Sequence, residues 1–141
     1  MNKVRILLLF LFAMVGSAAA MFVKLSDTEL IEQSGLIVVG ELIGRAPIRA
    51  ADGVGTQMLG VIRVEEVLKG ERGVSIAFLV LPGQKIMRSD ELSHLDGQRG
   101  LWYLRLENVD EAGIYVADHP QRFVPLDAAS EQIAALRSLE L

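Results

Sequence analysis

Short runs of β-branched and aliphatic residues, separated by glycine and proline, recur along this chain and favour short extended elements. The first run, LIVVGELIGR, covers positions 36–45. Its composition is typical of a strand. It is apolar at nearly every position up to Gly40, which predicts that its first half is covered on both faces. Gly40 itself indicates a bulge or a sharp bend, while Pro47 and the glycines at 53 and 55 predict a loop.

The next run, GVIRVEEVLKG at positions 60–70, favours a strand over a helix. Some of its apolar residues recur at helical spacing, but four residues are Val or Ile and glycines bound the run at both ends. The alternation of side chains slips at Glu65-Glu66, and a β-bulge supplies one such extra residue. The sequence therefore predicts a strand over 57–68 with a bulge near these two glutamates.

Two later segments are less regular. The run at 74–81 is nearly all apolar, and the polar crossing after it is predicted to hold one turn of helix at 89–95. The last strand-like stretch is interrupted before Pro120. We predict a hairpin there, with arms at 114–117 and 122–124.

The run at 100–109 alternates along its length. Leu101 and Tyr103 fall on the face opposite Trp102 and Leu104, as the period of two in a strand requires. This pattern predicts a fourth strand with two distinct faces.

The stretch LSDTELIEQSG carries the start signal of a short helix. Ser26 is placed to cap the N-terminus and Glu29, three residues on, to complete a capping box. Leu25 and Leu30 have the spacing of a hydrophobic staple. Gly35 is predicted to end the helix.

The last fifteen residues predict an amphipathic helix. Asp127 is placed to cap it, and Ile133, Leu136 and Leu139 fall roughly on one face. With the strands described above, the fold class is mainly β. We expect a small five- to six-stranded OB-type (Greek-key) barrel, with a short N-terminal helix and a C-terminal amphipathic helix.

Residues 1–20 have the three parts of a secretory signal peptide. Lys3 and Arg5 precede an apolar run at 6–15, and small residues follow at 17–20. Cleavage is predicted between Ala20 and Met21, or one residue earlier; an uncleaved anchor is the alternative. The mature chain, 21–141, is then a single periplasmic or secreted domain that meets the membrane only transiently, through this signal peptide.

Charge and cysteine content exclude several classes of function. Removing 20 of 141 residues takes away two basic and no acidic side chains, so the net charge moves from −4 to −6. An acidic chain is a poor match for nucleic acid or an anionic membrane. The chain contains no cysteine, which rules out disulfides and cysteine-based metal or nucleophile chemistry. No cofactor is expected.

Three segments, IVVGELIG, VIRVEEVLKGE and LDGQRGLWYLR, occur in this order. They resemble exported bacterial proteins related to the OB-fold domain of tissue inhibitors of metalloproteinases, also called netrin-like domains. The resemblance covers roughly residues 25–124 and implies an OB fold. The animal inhibitors begin with a cysteine that binds a protease's zinc, whereas the mature chain begins near Met21 without one. No inhibitory residue carries over, and protease inhibition stays a fold analogy.

Two groups of residues suggest chemistry. Glu65 and Glu66 form an acid–base pair only if a bulge turns both carboxyls to one substrate; a solvated strand end or a charged edge is the alternative. His94 and His119, with aspartates at 96 and 118, form a zinc-like site only if their loops meet. Surface loop histidines are the alternative, and no metal ligand is assigned.

The candidate binding residues are Trp102, Arg88, His94, Asp118 and His119. Trp102 is either a surface anchor for a protein partner or part of the core. No catalytic residue is assigned, because no nucleophile and base fall into a recognisable grouping.

Three functions therefore stay open. The first is an exported, non-enzymatic binding module that engages another protein in the cell envelope or outside the cell. The second is a periplasmic accessory protein that binds a small ligand or a metal. The third is an enzyme of unrecognised type. Oligomeric state is not predicted, and coverage of the apolar run at 74–81 within a monomer is an open question.

Overall fold

The computed structural model describes residues 23–49, 53, 55–81, 96–107 and 113–141. The predicted signal peptide and the predicted helical turn at 89–95 lie outside these residues. The described part contains helices α1 (Asp27–Gln33) and α2 (Ser130–Leu139), single 3-10 turns at Pro120–Arg122 and Leu126–Ala128, and strands β1 (Leu36–Arg49), β2 (Thr56–Lys69), β3 (Ile76–Val80), β4 (Arg99–Leu106), β5 (Ile114–Val116) and β6 (Phe123–Pro125).

The strands close into a ring in the order β1-β2-β3-β5-β4, with β4 returning to β1. Strands β3 and β5 run parallel, and the other neighbours are antiparallel. This is the predicted OB-type barrel with its two helices, and the fold class is confirmed. Among the residues that the structure describes, the β1–β2 ladder joins twelve residue pairs, whereas the β3–β5 and β4–β5 joints consist of two each.

The predicted bulge in the second strand is confirmed. Val39 pairs with Glu66, and the next residue, Gly40, pairs with Val64, so Glu65 is the extra residue. The irregularity expected at Gly40 is therefore this same bulge, because Gly40 lies opposite it on β1. Bulges of this kind increase local twist, which helps a small sheet to close.

The loop predicted from Pro47 begins later than expected, because β1 continues through Pro47 to Arg49. Gly53 and Gly55 lie between β1 and β2, as predicted. Strand β4 pairs with β1 only over residues 36–41. Beyond that point β2 is the strand with which β1 pairs, so β1 is an edge strand there, and an edge strand tolerates a proline.

The predicted hairpin around Pro120 is wrong. Strands β5 and β6 both pair antiparallel with β4, so they run in the same direction, one after the other. The turn Pro120–Arg122 lies between them and does not reverse the chain. The fifth strand of the barrel is thus broken into two short pieces.

Two hydrophobic clusters lie on the two faces of β1 and β4. Leu36, Val38, Trp102 and Leu104 point into the barrel, where they meet the inner faces of β2 and β3. The alternate residues of these strands point outward, beneath the helices, and pack with Leu30, Ala129, Ile133 and Leu136. Both predictions, a doubly covered first strand and a two-faced fourth strand, are confirmed.

Helix α1 begins as predicted. The Ser26 hydroxyl accepts a hydrogen bond from the Glu29 backbone, and the Glu29 carboxylate accepts one from the Ser26 backbone. The helix ends at Ser34, which is extended. Gly35 is not the residue that ends it, because its N–H bonds to the Leu104 carbonyl and starts the pairing of β1 with β4.

Helix α2 begins at Ser130, after Ala129 as N-cap, so Asp127 lies in the preceding 3-10 turn and does not cap it. Ile133 and Leu136 are buried as predicted, but Leu139 is exposed. The buried set follows the spacing Ala129, Ile133, Leu136, and this stripe does not extend to the last turn.

Candidate functional site

The break between β5 and β6 opens a pocket on the outside of the barrel. The pocket has a volume of about 390 Å³. Small-molecule sites range from about 300 to 1,000 Å³. It is lined by Val23, Leu25, Gln33, Arg105, Asp118, His119 and Arg122.

Arg122 is the buried residue in the lining of this pocket. Its side chain is only 2% exposed, and such burial of a charge is costly unless hydrogen bonds compensate it. The guanidinium Nη1 donates to the Ser34 hydroxyl at 3.1 Å and to the Tyr103 carbonyl at 3.3 Å, and Nη2 donates to Gln33 Oε1 at 3.1 Å. Arg122 Nε is buried and makes no hydrogen bond. Burial lowers the pKa of Arg122 from its ordinary value.

Asp118 lies between two guanidinium groups. Its Oδ2 accepts a hydrogen bond of 2.7 Å from Arg105 Nη2, and its Oδ1 lies 3.5 Å from Arg122 Nε. Burial raises the pKa of Asp118, but the hydrogen bond and charge of Arg105, together with the charge of Arg122, outweigh it and leave that pKa below its ordinary value. The carboxylate is therefore ionised at neutral pH.

His119 and Gln121 hold the N-terminal segment against the pocket. The Gln121 amide exchanges two hydrogen bonds with the backbone of Leu25, of 2.7 and 3.0 Å. His119 Nδ1 accepts from the Gln121 backbone N–H, so its Nε2–H is assigned as the donor to the Val23 carbonyl at 2.9 Å. These bonds place Val23 and Leu25 as the apolar wall of the pocket.

Of the five predicted binding residues, the structure brings Asp118 and His119 together in this pocket. Arg88 and His94 lie outside the described residues. Trp102 is fully buried, donates from Nε1 to the Gly40 carbonyl at 3.1 Å and packs on Phe123 with ring centroids 4.4 Å apart. Its position is the core alternative, so it offers no surface to a partner.

Glu65 and Glu66 are directed to different partners. Glu65 accepts from Arg99 on β4, and Glu66 accepts two hydrogen bonds, of 2.7 and 2.8 Å, from Arg137 on α2. The two carboxylates therefore do not converge as an acid–base pair. Glu66 instead fastens the C-terminal helix to the barrel.

Low pH is expected to weaken the ion pair between Glu66 and Arg137. The hydrogen bond from Arg137 lowers the pKa of Glu66 in the folded protein. The resulting stability is fully present above the unfolded pKa, near 4.3, and is lost as pH falls through the lowered folded pKa. We expect the free energy of unfolding, measured with urea, to fall when the pH is lowered below about 4. In Glu66→Gln the fall is expected to be smaller, because this ion pair is absent. The difference between the two proteins is expected to be under about 1 kcal/mol, because the pair is partly exposed. An identical drop in both proteins contradicts this assignment.

A second feature is an apolar row on the outer face of β1, β2, β3 and β5. It consists of Val61, Phe78 and Ile114, with Ile76 two residues from Phe78 on the same face of β3. Ile43 extends it on β1, next to Gly44, which pairs with Val61. Phe78 is paired with Val61 on one side and with Ile114 on the other. Ile76 is 51% exposed, Ile43 48% and Phe78 40%. Within the described ranges, strand β3 of the apolar run at 74–81 is therefore buried on its inner face and exposed at Ile76 and Phe78 on the other.

Within the ranges that the structure describes, no three His, Asp or Glu side chains are grouped as metal ligands. Asp96, one of the aspartates considered with the histidines, bonds to Arg45 at 2.9 Å. In the same ranges, no helix combines the length and the apolar character needed to cross a bilayer.

Comparison with protein-family models, curated proteins and solved structures finds no match to this chain. The resemblance to netrin-like domains therefore stays a prediction.

Arg122 and Arg105 are the site residues that sequence reasoning missed. The contacts of Arg122 come from positions 33, 34, 103 and 118, so no local pattern shows its burial. The one signal was the interruption before Pro120, which marks the place correctly although it was interpreted as a hairpin.

Proposed function

We propose that the mature protein is an exported, non-enzymatic binding module, and that it engages another protein through the apolar row. The observation that carries the proposal is the exposure of Ile76 and Phe78 on a strand whose other face is buried. Contiguous exposed apolar side chains on a folded domain are typical of protein interaction surfaces. The row runs across the outer faces of four strands, which suits a protein surface better than a small molecule enclosed by a cleft.

The charge of the chain favours one kind of occupant. The whole sequence carries a net charge of −4, so two copies repel one another at neutral pH. The occupant we propose is a different protein, with an apolar centre and a neutral or basic rim. Salt bridges beside the row, such as Arg63 with Glu41 at 2.8 Å, provide polar groups around its edge.

Ile76→Lys is expected to weaken binding of this partner strongly while leaving the fold intact. A protein retained by the immobilised mature chain from an envelope extract is purified, and its affinity is measured by calorimetry. Affinity is expected to fall about 30-fold or more, because the change places a charge in the apolar interface next to Phe78. Thermal stability is expected to change little, because the side chain is half exposed.

Leu139→Lys is the matched control, because it introduces the same charge at another exposed leucine or isoleucine position, on α2. It is expected to bind the partner normally. Equal affinity of the parent and Ile76→Lys contradicts the proposal. Concentration-dependent dimerisation of the parent, abolished in Ile76→Lys, also contradicts it, since a second copy then covers the row.

Binding of a small ligand is a second candidate function. It is favoured by the pocket at the β5–β6 break, where a buried arginine nitrogen without a hydrogen bond lies next to an apolar wall.

A further inference from the structure

The pocket at the β5–β6 break contains a buried N–H donor that makes no hydrogen bond. An arginine side chain has five N–H donors, and buried donors are normally all paired. Two nitrogens of Arg122 are bonded to neutral acceptors, whereas Nε is buried without a hydrogen bond. The unmet donor lies on the side of the guanidinium that faces Asp118.

Asp118 only partly fills this position. One oxygen is bonded to Arg105 at 2.7 Å, but the other stops 3.5 Å from Arg122 Nε. The side chain is 55% exposed and follows β5 in a segment without regular structure. The Arg105–Asp118 pair is exposed on both sides, and such pairs are individually weak. The buried Arg122 keeps a negative partner only if another carboxylate takes the place of Asp118 as it turns toward water.

We propose that this pocket binds the carboxylate of a monoanionic ligand with an apolar body, and that this carboxylate replaces Asp118 between Arg105 and Arg122. A planar carboxylate matches the two guanidinium groups, as charge-assisted pairs with arginine do. The apolar body lies against Val23 and Leu25. Two arginines and one aspartate leave one net positive charge in the lining, which balances a monoanion better than a dianion.

Two sources supply this chemistry, a free small organic acid and the C-terminal carboxylate of a peptide chain. The inference rests on the small-ligand function proposed above and is separate from protein binding at the apolar row. Ile76→Lys is expected to leave carboxylate binding unchanged, so failure of one proposal is distinguishable from failure of the other.

The test is a nuclear magnetic resonance titration of the mature chain that follows the Arg122 Nε–H signal. The probes are 4-methylpentanoate and the tripeptide acetyl-Gly-Gly-Leu with a free C-terminus. Their neutral counterparts are 4-methylpentanamide and the same tripeptide as its C-terminal amide. The acids are expected to shift the signal saturably, because Nε–H gains a charged acceptor, and the amides are not.

Two variants sharpen the result. Asp118→Asn removes the internal competitor and is expected to tighten acid binding about tenfold. Arg105→Gln is expected to weaken it about tenfold or more. Asp96→Asn and Arg63→Gln are the matched controls. Asp96 is 57% exposed and paired with Arg45, and Arg63 is paired with Glu41, so each control removes the same charge from a similar pair elsewhere.

A saturable, acid-specific shift that depends on Arg105 supports the proposal. Tighter binding of the tripeptide acid then identifies a chain terminus as the source, and tighter binding of 4-methylpentanoate identifies a free acid. The proposal is overturned if Asp118→Asn shows no saturable shift with either acid, if the amides act equally, or if Arg105→Gln binds like the parent.

Discussion

Replacing Gly100 by alanine is expected to lower the free energy of unfolding by about 3 kcal/mol or more. A Cβ at this position falls on the backbone carbonyl oxygen of Val124 and also meets the Phe123 ring. Neither obstacle is the end of a flexible side chain, because Gly100 pairs with β6 at Pro125 and the ring of Phe123 packs on Trp102. Relief requires β6 to move away from β4. Urea denaturation followed by tryptophan fluorescence measures the loss.

Gly44→Ala is the matched control, since Gly44 also lies in a strand but a Cβ there meets nothing within 4 Å. It is expected to leave stability unchanged or to raise it by up to about 1 kcal/mol, through the smaller entropy of the unfolded chain. Equal stability of the two variants contradicts the close approach of β6 to β4.

Arg122→Met is expected to destabilise the protein by about 2–3 kcal/mol. The Tyr103 carbonyl and the Ser34 hydroxyl lose a donor in a buried place, and each buried polar group without its partner is costly. Removal of a buried charge returns part of this cost. The stability loss is measured by urea denaturation, and hydrogen exchange is expected to rise in α1, where Arg122 bonds to Gln33 and Ser34.

Arg63→Met is the comparison for this variant. Arg63 is exposed and paired with Glu41, so its loss is expected to cost less than about 0.5 kcal/mol. If Arg122→Met is no less stable than Arg63→Met, then the buried hydrogen bonds of Arg122 do not hold α1 in place.

Local patterns were sufficient to predict several individual elements of the barrel. The slip in alternation at Glu65-Glu66 predicted a bulge that lies there, and the spacing of Ser26 and Glu29 predicted a capping box that forms. Both features depend on residues close in sequence, so their physical cause is visible in the chain itself.

The errors concern features set by distant contacts. Pro47 belongs to a strand because β4 does not pair with that part of β1. The β5–β6 stretch is not a hairpin because both pieces pair with β4. Leu139 has helical spacing suited to burial, but the apolar stripe of α2 does not reach the last turn. Local periodicity does not show which strand or helix will lie next to each of these residues.

The short pairing between β3 and β5 affects where the barrel can open transiently. Like the β4–β5 joint, it has far less backbone pairing than β1 and β2, so we expect local unfolding to open this joint transiently. Phe78 is one of its paired residues and is also the centre of the apolar row. A protein bound across the row therefore spans one of the short joints of the barrel, and part of its binding energy suppresses the opening.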